Sequence, residues 1–172
     1  MSGLKNFTIA GLGTVGSHIV RELLKLKNEG KVDNVTILTR SVSSLAQPLS
    51  NTFVHLSLQD SSSLDEYKAS GAKIAVVDYG SAESLKNAVT GADVVISTVT
   101  HTALQVQHVL AEQAKAGGVK LFVPSEFGDA TDRQNPEGIF LTKQSVHHKC
   151  KELDLPYALF FTGAHPDFVF IP

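Results

Sequence analysis

The sequence has little cysteine, no long apolar run and no surplus of positive charge, and each absence excludes a class of protein. Cys150 is the single cysteine among 172 residues, which excludes a disulfide framework and a cysteine-based zinc site. Lys and Arg number 15 against 17 Asp and Glu, so binding to nucleic acid through bulk positive charge is not expected. No stretch approaches the roughly eighteen apolar residues of a membrane span, and the start lacks a signal-peptide core. We therefore expect a cytoplasmic protein that binds neither nucleic acid nor membrane and holds no metal.

Short apolar runs alternate with stretches of helical spacing along the chain. The runs are nearly continuous in apolar character, as expected of strands that are covered on both faces. They lie at residues 7–10, 35–38, 73–77, 94–96, 119–123 and 157–161. The alternation predicts a single α/β domain over residues 1–172, with a doubly wound parallel sheet (a Rossmann fold) of strand order 3-2-1-4-5-6. Gly30, Gly71, Gly91 and Gly117 follow helical stretches, where a residue with positive φ is expected.

A glycine-rich turn follows the first predicted strand and opens the first predicted helix. Its sequence places Gly11, Gly13 and Gly16 in the pattern G-x-G-x-x-G, with Thr14 and Val15 between the last two. Glycine lets the chain turn tightly and lets a pyrophosphate approach the backbone, and N–H groups at the helix start bind the anion. The alternative is a tight turn that needs glycine only for its φ angles. We expect this turn to bind a dinucleotide.

The end of the second strand indicates which dinucleotide. An NAD site usually has Asp or Glu there, to accept hydrogen bonds from the ribose hydroxyls. This chain instead has Thr39, Arg40 and Ser41, a guanidinium between two hydroxyls. Arg40 can pair with a 2′-phosphate and lie flat on adenine, although it could also be a solvated surface arginine. The sequence therefore favours NADPH over NADH.

The later strand ends supply further candidate contacts, because ligands on such a sheet lie outside the carboxyl ends of its strands. Asp78 could accept a hydrogen bond from adenine or could equally cap the following helix. The fourth strand ends in small residues that allow a cofactor ribose close approach, and the fifth ends in a proline, an acid and a glycine that suggest an active-site wall. The cofactor-binding candidates at these two ends are Ser97, Thr98, Val99, Pro124, Ser125, Glu126 and Phe127.

Lys143 is the candidate catalytic residue, and it is also expected to contact the cofactor. In ordinary short-chain dehydrogenases, a tyrosine four residues before such a lysine supplies the proton, but this chain has Ile139 there. A lysine beside the positive charge of a nicotinamide has its ammonium form disfavoured, so it can serve as a base or proton donor. A surface lysine on an amphipathic helix is the alternative.

The motifs together resemble the NmrA-like/isoflavone reductase-like family of atypical short-chain dehydrogenases. The resemblance rests on the glycine-rich turn, the segments at residues 39–41, 119–128 and 155–157, and Lys143. It implies an NADPH-dependent reductase of phenolic or related small molecules, or a redox-sensing regulator that binds the dinucleotide without turnover. It also implies that Lys143 contacts the nicotinamide ribose and assists proton transfer, and that Arg40 contacts the 2′-phosphate. Ala10 departs from the family, which usually has glycine there.

The family also has a later part that builds a substrate lobe, whereas this chain stops at Pro172. Three functions therefore stay open: a reductase of a small aromatic substrate, a dinucleotide sensor, and a truncated member without a complete active site. The C-terminal segment, residues 163–172, contains the apolar run Phe168–Ile171, which is not typical of a solvated tail. We expect it to lead toward the absent lobe and to form a homodimer, unless it folds back over its own sheet.

Overall fold

Five parallel strands form one sheet in the computed structural model, which describes residues 3–40, 61–132 and 137–163. The strands are β1 (Asn6–Ala10), β2 (Asn34–Arg40), β3 (Lys73–Val77), β4 (Val94–Ser97) and β5 (Leu121–Val123). The helices are α1 (Thr14–Asn28), α2 (Ser61–Ala69), α3 (Ala82–Val89), α4 (Val106–Ala116) and α5 (Ile139–Glu152), with a 3-10 helix at His101–Ala103. The order β3-β2-β1-β4-β5 confirms the predicted doubly wound sheet for these five strands.

The prediction of a sixth strand is wrong. Beside β5, the described chain forms only one parallel bridge, between Tyr157 and Phe122. Phe122 N donates to Pro156 O at 2.8 Å, and Ala158 N donates to Phe122 O at 3.1 Å. The next ladder bond would need an N–H from Pro124, which proline lacks. The edge segment therefore lies where strand six was expected, but its pairing with β5 ends after one bridge.

Two apolar clusters cover the two faces of the sheet. Alternate residues of a strand point to opposite faces, so Ile9 packs in one cluster and Ala10 in the other. Helices α1 and α2 supply one cluster, through side chains such as Val20 and Tyr67. Helices α3, α4 and α5 supply the other, in which Phe122 is fully buried. Burial on both faces explains why the strands read as continuous apolar runs.

Helix ends follow the predicted glycines with one exception. Gly30, Gly71 and Gly91 have φ angles of 72°, 92° and 83°. The prediction for Gly117 is wrong: its φ is −83°, and the positive φ, 77°, belongs to Gly118. Gly117 instead continues the helical turn, since its N–H donates to Gln113 O at 2.8 Å, and the reversal follows one residue later.

A buried carboxylate holds the amino-terminal edge of the sheet together. Asp93 Oδ2 accepts hydrogen bonds from Lys5 N at 2.9 Å and from Asn6 N at 2.8 Å, while Lys120 Nζ donates to its Oδ1 at 2.6 Å. The bond from Lys120 and those from the two backbone N–H groups hold the pKa of Asp93 well below its usual range. This edge lies opposite the one where ligands bind in such sheets.

Candidate active site

The glycine-rich turn has the close backbone packing that its glycines predict. Gly11 has a φ of 104°, and a Cβ there would lie 2.8 Å from Thr98 O. A Cβ on Gly16 would collide with Gly11 O and would lie 2.5 Å from Thr98 Oγ1. A Cβ on Gly13 would meet nothing within 4 Å. Two of the glycines are therefore required by the fold, whereas Gly13 leaves space beside the backbone.

The start of α1 suits an anion. The helix begins at Thr14 with Gly13 as its N-cap, and no side chain caps it. Its first turn, which includes Val15, contains no acidic side chain. The positive end of a helix and its N–H groups bind phosphate when no protein oxygen occupies them. The open space at Gly13 and the uncapped helix start thus fit a pyrophosphate.

Arg40 lies at the end of β2, at the same edge of the sheet, and its side chain is exposed. Burial raises the pKa of the Tyr79 hydroxyl to about 12, and the positive charge of Arg40 opposes that shift. Tyr79 thus lies within electrostatic reach of Arg40, a relationship that the sequence analysis did not predict. Thr39 precedes Arg40 in β2, and Ser41 lies outside the described residues.

Asp78 follows β3, and its side chain stabilises the turn that begins there. Its Oδ1 accepts a hydrogen bond from Gly80 N at 2.8 Å. The cap of α3 is instead Ser81, whose Oγ accepts from Ser84 N at 3.2 Å. Asp78 thus shapes the loop at the adenine end of the predicted site, and the alternative of a helix-capping Asp78 is wrong.

Hydrogen bonds connect the segment that follows β5 to the segment that follows β4 and to α4. Ser125 Oγ donates to Val99 O at 2.8 Å, and Ser125 N donates to Gln107 Oε1 at 2.8 Å. Gln107 is buried in α4 and was not predicted as a site residue, although it lies in the apolar stripe of that helix, where a polar side chain needs a partner. Ser97 is fully buried, and its Oγ has no partner in the described structure.

The segment after β5 has an unusual backbone. Phe127 has a φ of 39°, a conformation that is rare for residues other than glycine. Its N–H donates to Phe160 O at 2.9 Å, and the two rings stack with centroids 6.4 Å apart. Just before it, Glu126 N donates to Pro124 O at 2.8 Å. These contacts hold the tight turn that presents the backbone carbonyl of Glu126 to α5.

Lys143 projects from α5 onto this turn. Its Nζ donates to the carbonyl oxygen of Glu126 at 2.7 Å and lies 3.6 Å from Glu126 Oε2. The lysine side chain is 13% exposed, so it is not the solvated surface lysine that was the alternative. Lys143 thus lies against the segment that follows β5, and Ile139, where a tyrosine would stand in ordinary short-chain dehydrogenases, is exposed.

The carboxylate of Glu126 is buried and has three neighbours. His147 Nε2 lies 2.6 Å from Oε1, and Thr131 Oγ1 donates to Oε2 at 3.0 Å, so the carboxylate faces inward. The third neighbour is Lys143. Sequence reasoning identified Glu126 and Lys143 but missed His147 and Thr131. The spacing of Lys143 and His147, four residues apart on one helix, places them on the same face and was the available signal.

The structure is an α/β protein with a doubly wound parallel sheet, the class of fold that binds dinucleotides, and a lysine contacts the segment after β5. The sequence profile of the NmrA-like family matches residues 7–170, and the chain belongs to that family.

Several characterised proteins are similar to this chain. Phenylcoumaran benzylic ether reductase POP1 of Populus trichocarpa is 31% identical over 164 residues, which cover 90% of this chain and 48% of that protein. An isoflavone reductase homolog of Solanum tuberosum is 30% identical with the same coverage. The solved structure of AtPrR2 with NADP+ and (+)pinoresinol is 25% identical, with a TM-score of 0.73 over 92% of this chain and 50% of that one. The chain thus spans about half the length of these relatives.

Proposed function

We propose that this chain binds NADPH and supplies the cofactor half of a reductase that acts on a small aromatic or phenolic substrate. The observation that carries the proposal is the position of Lys143, whose Nζ is held at the Glu126 carbonyl. That position is at the carboxyl ends of the strands. The glycine-rich turn, which follows β1, and Arg40, the last residue of β2, lie at the same edge of the sheet. Parallel sheets bind dinucleotides across this edge, so one extended ligand can reach all three features.

The chain's own groups have separate tasks in binding. The backbone at Gly13, Thr14 and Val15 receives the pyrophosphate, and Arg40 pairs with the 2′-phosphate. The residues after β4 and β5 line the path to the nicotinamide; Thr98 and Val99 contribute mainly through the backbone there. Arg40 supports NADPH over NADH, because residues 39–41, at the end of β2, include no Asp or Glu to accept hydrogen bonds from ribose hydroxyls.

The chemistry requires a proton source near the transferred hydride. When bound, NADPH would supply the hydride for an electrophilic carbon of the substrate and would be converted to NADP+. Lys143, in its ammonium form, gives one proton to the substrate atom that receives the displaced electron pair, and it regains a proton from solvent. Its low exposure and fixed hydrogen bond orient the donor before substrate arrives.

The names of the relatives support the substrate class. They are reductases of phenylcoumaran benzylic ethers and isoflavone reductase homologs, and one solved structure holds pinoresinol. All of these names describe phenolic ring systems. We extend to this chain the class, a phenolic or related aromatic compound, and no single substrate.

The test is NADPH oxidation, followed by its absorbance, in the presence of a panel of phenolic ethers and isoflavones. Loss of absorbance that depends on substrate supports the reductase. NADPH binding without turnover of any compound would contradict it and would favour the dinucleotide sensor or a member without a complete active site. Lys143→Arg is the matched control, since it keeps a positive charge but cannot release a proton near neutral pH.

Two further properties are part of this proposal. We place the protein in the cytoplasm. Among the described helices, none has the length and apolar character of a membrane span.

We also propose a homodimer through residues 163–172, which lie outside the described residues apart from Gly163. The apolar sequence of that segment supports the dimer. Light scattering on the intact chain and on a chain ending at Thr162 measures the oligomeric state of each. A monomeric intact chain at micromolar concentration would refute the dimer.

A further inference from the structure

We propose that His147 is a positioning residue for Lys143 and acts through the buried carboxylate of Glu126. The inference rests on the proposed reductase function, in which Lys143 is the proton donor. His147 does not reach the sheet edge itself, because its side chain is 7% exposed and its Nε2 is turned toward Glu126 Oε1. Its effect on the reaction therefore passes through the glutamate.

The geometry gives each carboxylate oxygen a different task. Oε1 is held by His147 at 2.6 Å, and Oε2 is held by Thr131 at 3.0 Å. Oε2 also lies 3.6 Å from Lys143 Nζ. With both oxygens fixed, the carboxylate cannot rotate to pair with Lys143 more closely, so the ammonium stays on the backbone carbonyl of Glu126 at 2.7 Å. The ammonium of Lys143 therefore stays beside the segment after β5 and does not move into the protein interior.

His147 is itself held from two sides. It lies one helical turn after Lys143 on α5, and its ring stacks on Tyr157 with centroids 6.0 Å apart. Tyr157 belongs to the bridge that pairs with β5, so the imidazole is held between α5 and the segment beside β5. The charged and titratable groups recorded around this cluster in the described chain are Glu126, Lys143 and Tyr157.

A pair of substitutions separates positioning from packing. His147→Phe keeps an aromatic ring to stack on Tyr157 but removes the N–H that holds Glu126. His147→Gln removes the ring but places an amide N–H at a similar reach. If His147 positions Lys143, the Gln variant retains function and the Phe variant loses it. If His147 only fills space, the order is reversed.

The experiment measures kcat, KM and the NADPH dissociation constant for both variants. Displacement of a catalytic group by about 1 Å can cost about a hundredfold in rate, so we expect His147→Phe to lower kcat about ten- to a hundredfold. Cofactor affinity should stay within about twofold, and His147→Gln should recover most of the lost kcat. Unchanged kcat in the Phe variant, or equal losses in both variants, would overturn the proposal.

A second readout does not depend on turnover. The ammonium of Lys143 should give a resolved ¹H–¹⁵N signal, because a buried, hydrogen-bonded ammonium exchanges its protons slowly; Lys143→Arg identifies the signal by its loss. The signal should survive in His147→Gln and broaden or shift in His147→Phe. An unchanged signal in the Phe variant would overturn the positioning role, even if the wild type reduces no substrate and the proposed function itself has failed. Thr131→Val, which removes the second clamp on Glu126, should change the signal in the same direction and replaces the Phe variant if that protein does not fold.

Discussion

The hydroxyl of Thr98 donates a hydrogen bond to the carbonyl oxygen of Gly11 at 2.7 Å, and this contact joins the exit of β4 to the glycine-rich turn. The backbone repeats the connection, since Thr98 N donates to Ala10 O at 2.8 Å. The same hydroxyl occupies the space that a side chain on Gly16 would need. The turn is therefore shaped by the neighbouring strand and not by its own sequence alone.

The glycines of the turn should separate into a structural and a functional class. Gly16→Ala should destabilise the protein by about 1–3 kcal/mol or more, because its Cβ collides with the Gly11 carbonyl and with Thr98. Gly13→Ala is the matched control, since its Cβ meets nothing and its φ of −64° suits alanine. Chemical denaturation should show normal stability for Gly13→Ala, while fluorescence titration should show weakened NADPH binding. Equal stability of the two variants would contradict this assignment.

Arg40 should carry the preference for the phosphorylated cofactor. A charge-assisted bond to phosphate contributes about 1.5–3 kcal/mol, which corresponds to roughly ten- to a hundredfold in affinity. Arg40→Ala should lose that much affinity for NADPH and little for NADH, as measured by calorimetric titration of both cofactors. Arg21, an exposed arginine in the middle of α1, is the control position. Equal affinity of the wild type for NADPH and NADH would refute the prediction.

Lys143→Ala should lower kcat by about a hundredfold or more and should leave the fold intact. The side chain makes its recorded contacts with Glu126 and is not part of either apolar cluster. Lys149, a half-buried lysine on the same helix that pairs with Glu112, serves as the matched control. A Lys143→Ala variant with unchanged kcat would remove Lys143 from the mechanism.

The carboxylate of Asp93 should make stability depend on acid pH. Its pKa in the folded protein is lowered, chiefly by the hydrogen bond from Lys120, so it stabilises the fold at pH values above its unfolded pKa of about 4. That contribution is lost as pH falls through the lower, folded pKa. Asp93→Asn should cost about 1–3 kcal/mol at pH 7. Urea unfolding at a series of pH values should show this difference shrinking below about pH 4, and a difference independent of pH would contradict the role of the charge.

Cys150 should be unreactive in the native protein. Burial raises the pKa of its thiol from 9.0 to about 11, so little thiolate is present near pH 8. As the single cysteine, it gives an unambiguous signal with a chromogenic disulfide reagent. Labelling should follow unfolding, and stability should fall as pH rises from about 9 toward about 11. Rapid labelling of the native protein at pH 8 would contradict the buried environment.

The sequence predicted most of the sheet because the strand signal is local. Runs such as residues 94–96 are apolar throughout, and burial on both faces requires that pattern. The prediction of a sixth strand was wrong for a reason outside its own residues. Pro124, in the neighbouring segment, has no backbone N–H to donate to that strand. The helix end at Gly118 instead of Gly117 shows that adjacent glycines cannot be ranked from composition alone.

The candidate site was predictable where a motif fixes the backbone, and less so where contacts join distant segments. The positions of Gly11 and Gly16 follow from the turn pattern. The contacts of Glu126 with Thr131 and His147 depend on how the loop after β5 packs against α5; the spacing of Lys143 and His147 places them on one helix face but does not identify Glu126 as their partner. Gln107 was missed for the same reason, because its partner Ser125 lies on another element.

The most direct test of the central claim is a crystal structure of the chain with NADP+ bound. We predict the pyrophosphate against the backbone of Gly13 to Val15, the 2′-phosphate beside Arg40, and Lys143 Nζ within hydrogen-bonding distance of the nicotinamide ribose. A pyrophosphate bound elsewhere, or a nicotinamide out of reach of Lys143, would contradict the proposed function.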